Sequence, residues 1–557
     1  MPLQATSGAA SYDAFGGGAA AVPNYIEDVF STWLYTGNDT STTINNGIDL
    51  AGKGGLVWVK PRNTSTYNNH ILVDTVRGAN YRLFLPPIIG EDFSGSINTF
   101  SSTGFRVDGV DTNDSTQNYA SWTWRKQPKY FDVQTWTGSG ANRTISHALN
   151  SVPACIFVKR TDTDGAWQVY HRSLANTEYL VLNTTAAKAT GTTRWNSTTP
   201  TSTVFSLGTD ATVNASGGTY VAYIFAHDAG GFGLTGTDNV ISCGGFTTDS
   251  GGLATVTLGY EPQWLMVKRT GTTGDWQIMD TMRGFVNNSS GGDAVLKANS
   301  SDAESTFTLA TPTSTGFLID GNAANAPIIY IAIRRGPMKV PTSGTSVFAP
   351  ITWTGSGTNS RVITGAGFTP DMFFLNTRNN TNNYWNNYDR LRGVGQALRS
   401  YSTSAETSGI NYGMSSFGMD GHTLGDSDGG SGGYNQSSIL AFATYFKRAP
   451  SFFDVVCYLG TGSATTKNHN LGVVPELMIV KNRTTSNDWV IYSATLGANK
   501  FLYFRNFSEQ AIGDELWNST TPTSSVFSIG TYGNVNTSAE NYVAYLFATC
   551  AGVSKVG

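Results

Sequence analysis

RWNSTTPTSTVFSLGT at 194–209 and LWNSTTPTSSVFSIGT at 516–531 agree at thirteen of sixteen positions although 322 residues separate them. The first half of the phrase is turn chemistry, rich in Ser, Thr, Asn and Pro. The second half alternates, so that Phe205 and Leu207 share one face of a strand, as Phe527 and Ile529 do in the later copy. One strand-and-turn unit has therefore been written twice, and the fold must contain a repeat.

The period comes from a second landmark, an apolar strand that ends in basic residues. It reads GGLVWVKPR at 54–62, PACIFVKRT at 153–161, PQWLMVKRT at 262–270, PDMFFLNTR at 370–378 and PELMIVKNR at 475–483. Lys60, Lys159, Lys268, Asn376 and Lys481 are thus equivalent, at spacings of 99, 109, 108 and 105 residues. Five copies of about 105 residues fill nearly the whole chain, and the 322-residue offset is three repeat lengths. Each copy opens on a strand with a tight Gly turn (TWTGSG at 135–140 and 352–357) and closes on a strand such as YVAYIFA at 220–226 or YVAYLFA at 542–548. That closing strand is apolar on both faces, which places it centrally in its sheet or against a neighbouring domain or subunit. The first, third and fourth copies share a D-x-x-R-G turn: DTVRG at 74–78, DTMRG at 280–284 and DRLRG at 389–393.

Only 13% of residues are charged against 12% aromatic, with Gly, Ser, Thr and Asn filling the difference. No helical periodicity persists, and turn signals recur every 8–12 residues. The expected fold is all-β: five tandem β-sandwich domains, jelly-roll-like, after a Gly/Ala-rich N-terminal arm. The boundaries are 1–25 for the arm, then 26–128, 129–234, 235–341, 342–450 and 451–557. A module of this size can bury its own core. Short joints such as PKYFDV at 128–133 and APSFFDV at 449–455 predict packed domain contacts, with the greatest looseness at 227–240 or 335–347.

The net charge of −4 carries no basic stripe, which argues against nucleic-acid binding. The N-terminal stretch shows no basic n-region and no apolar h-region, and no apolar run reaches the length of a membrane span, so neither a signal peptide nor membrane insertion is expected. Cys155 and Cys457 sit in apolar runs and read as buried free thiols.

No catalytic constellation emerges. His147 and His469 hold matching loop positions in the second and fifth copies and read as structural turn histidines. Asp74 with Arg77, Asp280 with Arg283 and Asp389 with Arg392 read as salt-bridged turns whose Gly takes a positive φ. Repetition in three copies favours that structural role over an Arg fork for a ligand. Acidic loops at 108–114, 162–165 and 426–433 resemble loose calcium loops, but none completes a known spacing. No cofactor is expected, with calcium the one ion considered. The fourth copy has lost the basic pair and gained polar insertions, so glycan or receptor contact is placed there, at Trp385, Tyr388, Arg392, His422 and Tyr434.

The set WTGSG, LG-x-x-P-x-x-x-x-VKR-T, WNSTTPTS-x-VFSLG and YVAYLFA…GVSKVG resembles the tandem repeats in virion proteins of tailed phages, especially phages of marine bacteria and cyanobacteria. The resemblance covers roughly residues 26–557 and is weakest in the fourth copy. It implies a non-enzymatic virion component made in the host cytoplasm, generally described as a tail fibre or structural protein. The arm, with Tyr12, Phe15 and Tyr25, would then dock onto other virion proteins of tail or capsid. A homotrimer is the usual state of a fibre, and a host cell-surface glycan or protein would be its partner. A capsid decoration or head fibre protein is the alternative. A surface-polysaccharide depolymerase would need paired carboxylates, and no recurrent pair is present.

Overall fold

The computed structural model describes residues 23–557 apart from 64–67, 288–291, 381–384, 409–412, 426–432, 505–510 and 513. Tyr12 and Phe15 lie outside the described residues. The fold is all-β, and every strand pairing in the sheets is antiparallel. In the first copy six strands form one sheet in the order Phe30–Thr36, Asn118–Arg125, Gly55–Pro61, His70–Asp74, Tyr81–Leu85, Asp92–Phe93. A smaller sheet of Thr42–Asn45, Gly104–Val107 and Ile97–Ser101 lies against it. Copies 2, 3 and 5 repeat the six-stranded order, and copy 4 keeps five of its strands.

The first and last strands of each copy pair with each other, and so do the second and penultimate ones in the smaller sheet. That wrapping is the jelly-roll-like part. From the VKR strand outward, the large sheet is a plain meander. The YVAYIFA strand is flanked on both sides, by Phe131–Thr137 and by Cys155–Arg160. The repeated Gly of the TG turn has a steric cause. A Cβ on Gly37, Gly138, Gly355 or Gly460 would overlap the carbonyl oxygen of Asp114, Ala215, Gln436 or Thr537.

Period-two alternation sorts each VKR strand between two cores. Val57 and Val59 point at the small sheet with Ile44, Phe105 and Val107. Leu56 and Trp58 point outward into a cluster shared by copies 1, 2 and 3. Copy 3 divides likewise, with Leu265 and Val267 in its own sandwich and Trp264 and Met266 in the shared cluster. Copies 4 and 5 each close a sandwich core from their own residues alone. Their outward faces meet in a further cluster around Met372, Phe453 and Tyr545. The large sheets therefore act as middle layers between a sandwich core and an inter-copy core.

The joints expected to be packed are packed. Asp132 of PKYFDV pairs with Lys126 at 3.2 Å, and Asp454 of SFFDV with Arg448 at 2.6 Å. The connections read as loose are anchored as well. Gly233 N–H donates to the Asn24 carbonyl at 2.9 Å, and Arg334 pairs with Asp238 at 2.8 Å. In the second connection Arg335 pairs with Asp371 at 2.8 Å, and the Pro337 carbonyl accepts from Ile26 N–H at 3.0 Å. Gly content marked the turns there and not a hinge.

Candidate functional site

The five residues assigned to ligand contact in copy 4 do not form a surface. Arg392 is fully buried, pairs with Asp389 and with Glu406 at 2.9 Å, and donates to Asn387 Oδ1 at 2.7 Å and the Gln396 carbonyl at 3.1 Å. Tyr388 is stacked on Phe373, with ring centroids 5.3 Å apart. His422 stacks on the same Phe373 at 4.5 Å, and its Nδ1 is hydrogen-bonded to the Tyr445 hydroxyl at 2.6 Å. Burial pushes the His422 imidazole down to about 3, which keeps it neutral. Tyr434 is buried and its hydroxyl accepts from Asn386 Nδ2 at 2.8 Å. These four hold the sandwich of copy 4 together. Trp385 alone lies at the surface, 42% exposed.

The other singled-out groups within the described residues are also engaged; the acidic loop read at 426–433 lies outside them up to 432. His147 and His469 each bridge two loops: Nδ1 accepts from the backbone of Leu149 or Leu471, and Nε2 donates to the Thr201 or Thr523 carbonyl. In the acidic loops Asp162 pairs with Arg160 and Asp111 with Arg82. All four cysteines are free and buried. Among the described residues no cluster of His, Cys, Asp and Glu could hold a metal.

What the repeated polar residues build is a set of joints between copies. Between copies 1 and 2, Lys159 Nζ donates to the Ile88 carbonyl at 2.8 Å and Trp167 Nε1 to the Phe84 carbonyl at 2.9 Å. Between copies 2 and 3, Lys268 Nζ donates to the Thr185 carbonyl and Trp276 Nε1 to the Val181 carbonyl, at 2.9 and 3.0 Å. Between copies 3 and 1, Lys60 Nζ reaches the Ser301 carbonyl at 3.3 Å and His70 Nε2 the Lys297 carbonyl at 3.0 Å. Trp276 pairs across from Lys268, and Trp167 and His70 hold the equivalent place one position beyond the pairs Val158–Gln168 and Val59–Ile71. The three joints run in one direction and close a ring. Copies 4 and 5 make the same joint once: Lys481 Nζ donates to the Thr403 carbonyl at 3.1 Å and Trp489 Nε1 to the Arg399 carbonyl at 3.0 Å.

The acid of the D-x-x-R-G turn sits on the receiving side of these joints. Asp74 accepts from the Tyr223 hydroxyl of copy 2 at 3.0 Å, and Asp280 from Trp122 Nε1 of copy 1 at 3.0 Å. Asp389 accepts from the Tyr545 hydroxyl of copy 5 at 2.6 Å. Trp122, Tyr223 and Tyr545 are the same position of the closing strand. Within the turn, the pairing read from the sequence is present: Arg77 and Arg283 reach Asp74 and Asp280 at 2.6 Å, and Gly78, Gly284 and Gly393 have φ of 105°, 122° and 92°. Each Arg also takes a second acid, Glu91, Glu304 or Glu406. Copy 2 has His171 where copies 1, 3 and 4 have Asp, and its Nε2 donates to the Tyr330 carbonyl of copy 3 at 3.2 Å.

Burial pushes all four joint lysines down to about 8, although each still donates to carbonyl oxygens. The sequence marked these lysines without their role, because their partners are backbone carbonyls and leave no letter. The available signal was a lysine ending a strand that is apolar on both faces.

A groove of about 450 Å³ runs between the ring and the pair, lined by Tyr25, Leu234, Pro337, Met338, Val340 and His469 among others. Tyr25, the described residue of the expected docking set, lies on it. A family model described as a domain of unknown function (DUF7483) matches residues 26–332, which span copies 1–3, and 343–557, which span copies 4 and 5. No curated protein matches the chain.

Proposed function

We propose that this chain, which belongs to the DUF7483 family, is a non-enzymatic structural component of a phage virion, a tail fibre or appendage that positions or makes contact with the host surface. The observation that carries this reading is where the repeated polar groups go. The lysines, the D-x-x-R-G turns and the strand tryptophans are spent on fixing one sandwich against the next. Groups arranged for chemistry would instead converge on an accessible cleft. A rigid array without disulfides suits a part that transmits force or position, and the motif resemblance gives the setting in a virion.

Host contact would fall to the groove beside Tyr25, since Tyr388, Arg392, His422 and Tyr434 of copy 4 are interior. Electron microscopy of purified virions with gold-labelled antibody tests the reading. Label on tail appendages is the expected result. Label over the head would replace it with capsid decoration, and release of reducing sugar from host envelope would replace it with an enzyme.

A further inference from the structure

Three joints of one kind close copies 1, 2 and 3 into a ring, and copies 4 and 5 make one such joint. In that geometry a module has a donating side and a receiving side, so the pair is left with two open sides: the donating side of copy 4 and the receiving side of copy 5. Both are marked in the structure. On copy 5, Ile479, Ile491 and Leu502 are half-buried, whereas their ring equivalents are all at most 1% exposed: Trp58, Leu72 and Leu83 in copy 1, Phe157, Val169 and Leu180 in copy 2, Met266, Ile278 and Leu296 in copy 3. On copy 4, Trp385 stands where Trp167, Trp276 and Trp489 stand, but its indole is 42% exposed and N–H has no acceptor among the described residues. It packs on half-buried Phe442 at 5.4 Å, beside exposed Leu440.

The charge pattern sets these two sides apart from the joints inside the chain, so an incoming module is held there by the Trp contacts and the apolar faces and not by the lysine and the Asp. Every copy that donates within the chain keeps the joint lysine, and copy 4, which has no receiver, carries Asn376 in its place. Copy 5, which receives from none, carries Ser493 where Asp389 stands in copy 4.

We propose that the wedge between copies 4 and 5 is a docking site for one further β-sandwich module of this repeat, carried by a separate polypeptide, which completes a second three-module ring. The incoming module lays its strand Trp on the Tyr503 carbonyl of copy 5, the equivalent of Phe84, Val181, Lys297 and Arg399. It offers its own equivalent carbonyl to Trp385. A second copy of the whole chain does not complete a three-module ring. Its ring modules have both sides covered, and its copies 4 and 5 each have one side covered by the other.

The test uses residues 451–557 as the probe, because copy 5 closes a core from its own residues and carries both sides of the joint. Its fold is checked first by the strand signal in circular dichroism. Titrated into the full chain, the folded probe binds one to one. Trp385→Ala in the full chain and Trp489→Ala in the probe each weaken binding by about tenfold or more, as loss of a central interface Trp does. The two substitutions address different joints, and neither lies in a sandwich core. A folded probe that does not bind, or that binds equally well after both substitutions, overturns the proposal. So does self-association of the full chain that Trp385→Ala abolishes, since the face would then belong to a second copy.

Discussion

The hydroxyl of Tyr223 donates to Oδ2 of Asp74 at 3.0 Å, across 149 residues of chain and from one sandwich to the next. The same carboxylate receives Arg77, so one acid serves a turn inside copy 1 and a joint to copy 2. Tyr223→Phe removes that bond and the longer one its hydroxyl accepts from Arg77 Nη2 at 3.4 Å, and leaves the Asp74–Arg77 pairing, a loss of about 1 kcal/mol. Asp74→Ala removes the inner acid and leaves the buried guanidinium with Glu91 alone, a cost towards the lower end of the roughly 3–5 kcal/mol that breaking a buried pair carries. Thermal unfolding should rank the variants in that order. Equal midpoints for wild type and Asp74→Ala would contradict the shared role.

Lys159 gives the joints a signature in alkaline solution. Its folded value of about 8 lies below that of a free lysine, near 10.4. Between those two values the unfolded chain holds more protons, so this contribution to stability rises with pH and is lost as pH falls through 8. Lys159→Met removes the titration and leaves the Ile88 and Gly165 carbonyls without that donor. The variant is therefore less stable at pH 7.5, and its deficit against wild type widens towards pH 10. Urea midpoints at the two pH values measure this, and a constant gap would count against a desolvated amine.

Much of this architecture could be read from residues such as Phe205 and Leu207, whose alternation fixes a strand, and from the spacing of Lys60 to Lys481, which fixes the period. The YVAYIFA strand, apolar on both faces, left open a central place in its sheet or a cover on its outer face, and the structure has both. What could not be read was which neighbour covers it, because periodicity is local and the ring closes copy 3 back onto copy 1 through His70 and the Lys297 carbonyl. The candidate site failed for a related reason. Tyr388, Arg392, His422 and Tyr434 fall in a divergent, polar stretch that reads as loop. Yet polar side chains that satisfy one another can be interior, as Arg392 with Asp389 and Glu406 shows.

His171 makes copy 2 sensitive to acid. Nδ1 accepts from Ser173 N–H at 3.2 Å and Nε2 donates to the Tyr330 carbonyl, so the neutral tautomer is fixed across the joint to copy 3. Burial pushes it down to about 4. Stability from this group is complete above an ordinary histidine value of about 6.5 and is lost as pH falls through 4, where the folded imidazole must also protonate. His171→Gln should flatten part of the decline between pH 6.5 and 4. Hydrogen exchange in Thr219–Phe225 and Pro327–Arg334 reads the joint directly, and acid-induced exchange identical to wild type would rule the histidine out.

Arg448 ties the ring to the pair. Its two terminal nitrogens reach both oxygens of Glu261 in copy 3 at 2.8 and 2.7 Å, and Nε reaches Asp454 of copy 5 at 2.6 Å. All three residues are buried, so Arg448→Met leaves two carboxylates facing each other without a cation, a cost of roughly 3–5 kcal/mol. Arg448→Lys keeps a charge but loses the fork, and should fall between the two. The ring and the pair have separate cores, so the ring should part from the pair before either unfolds. Limited proteolysis then cuts the 335–347 connection faster in Arg448→Met and yields two resistant fragments, one of copies 1–3 and one of copies 4 and 5. Cleavage spread evenly over the chain, or no faster than in wild type, would mean that the ring and the pair are held by the surrounding apolar contacts and not by this arginine.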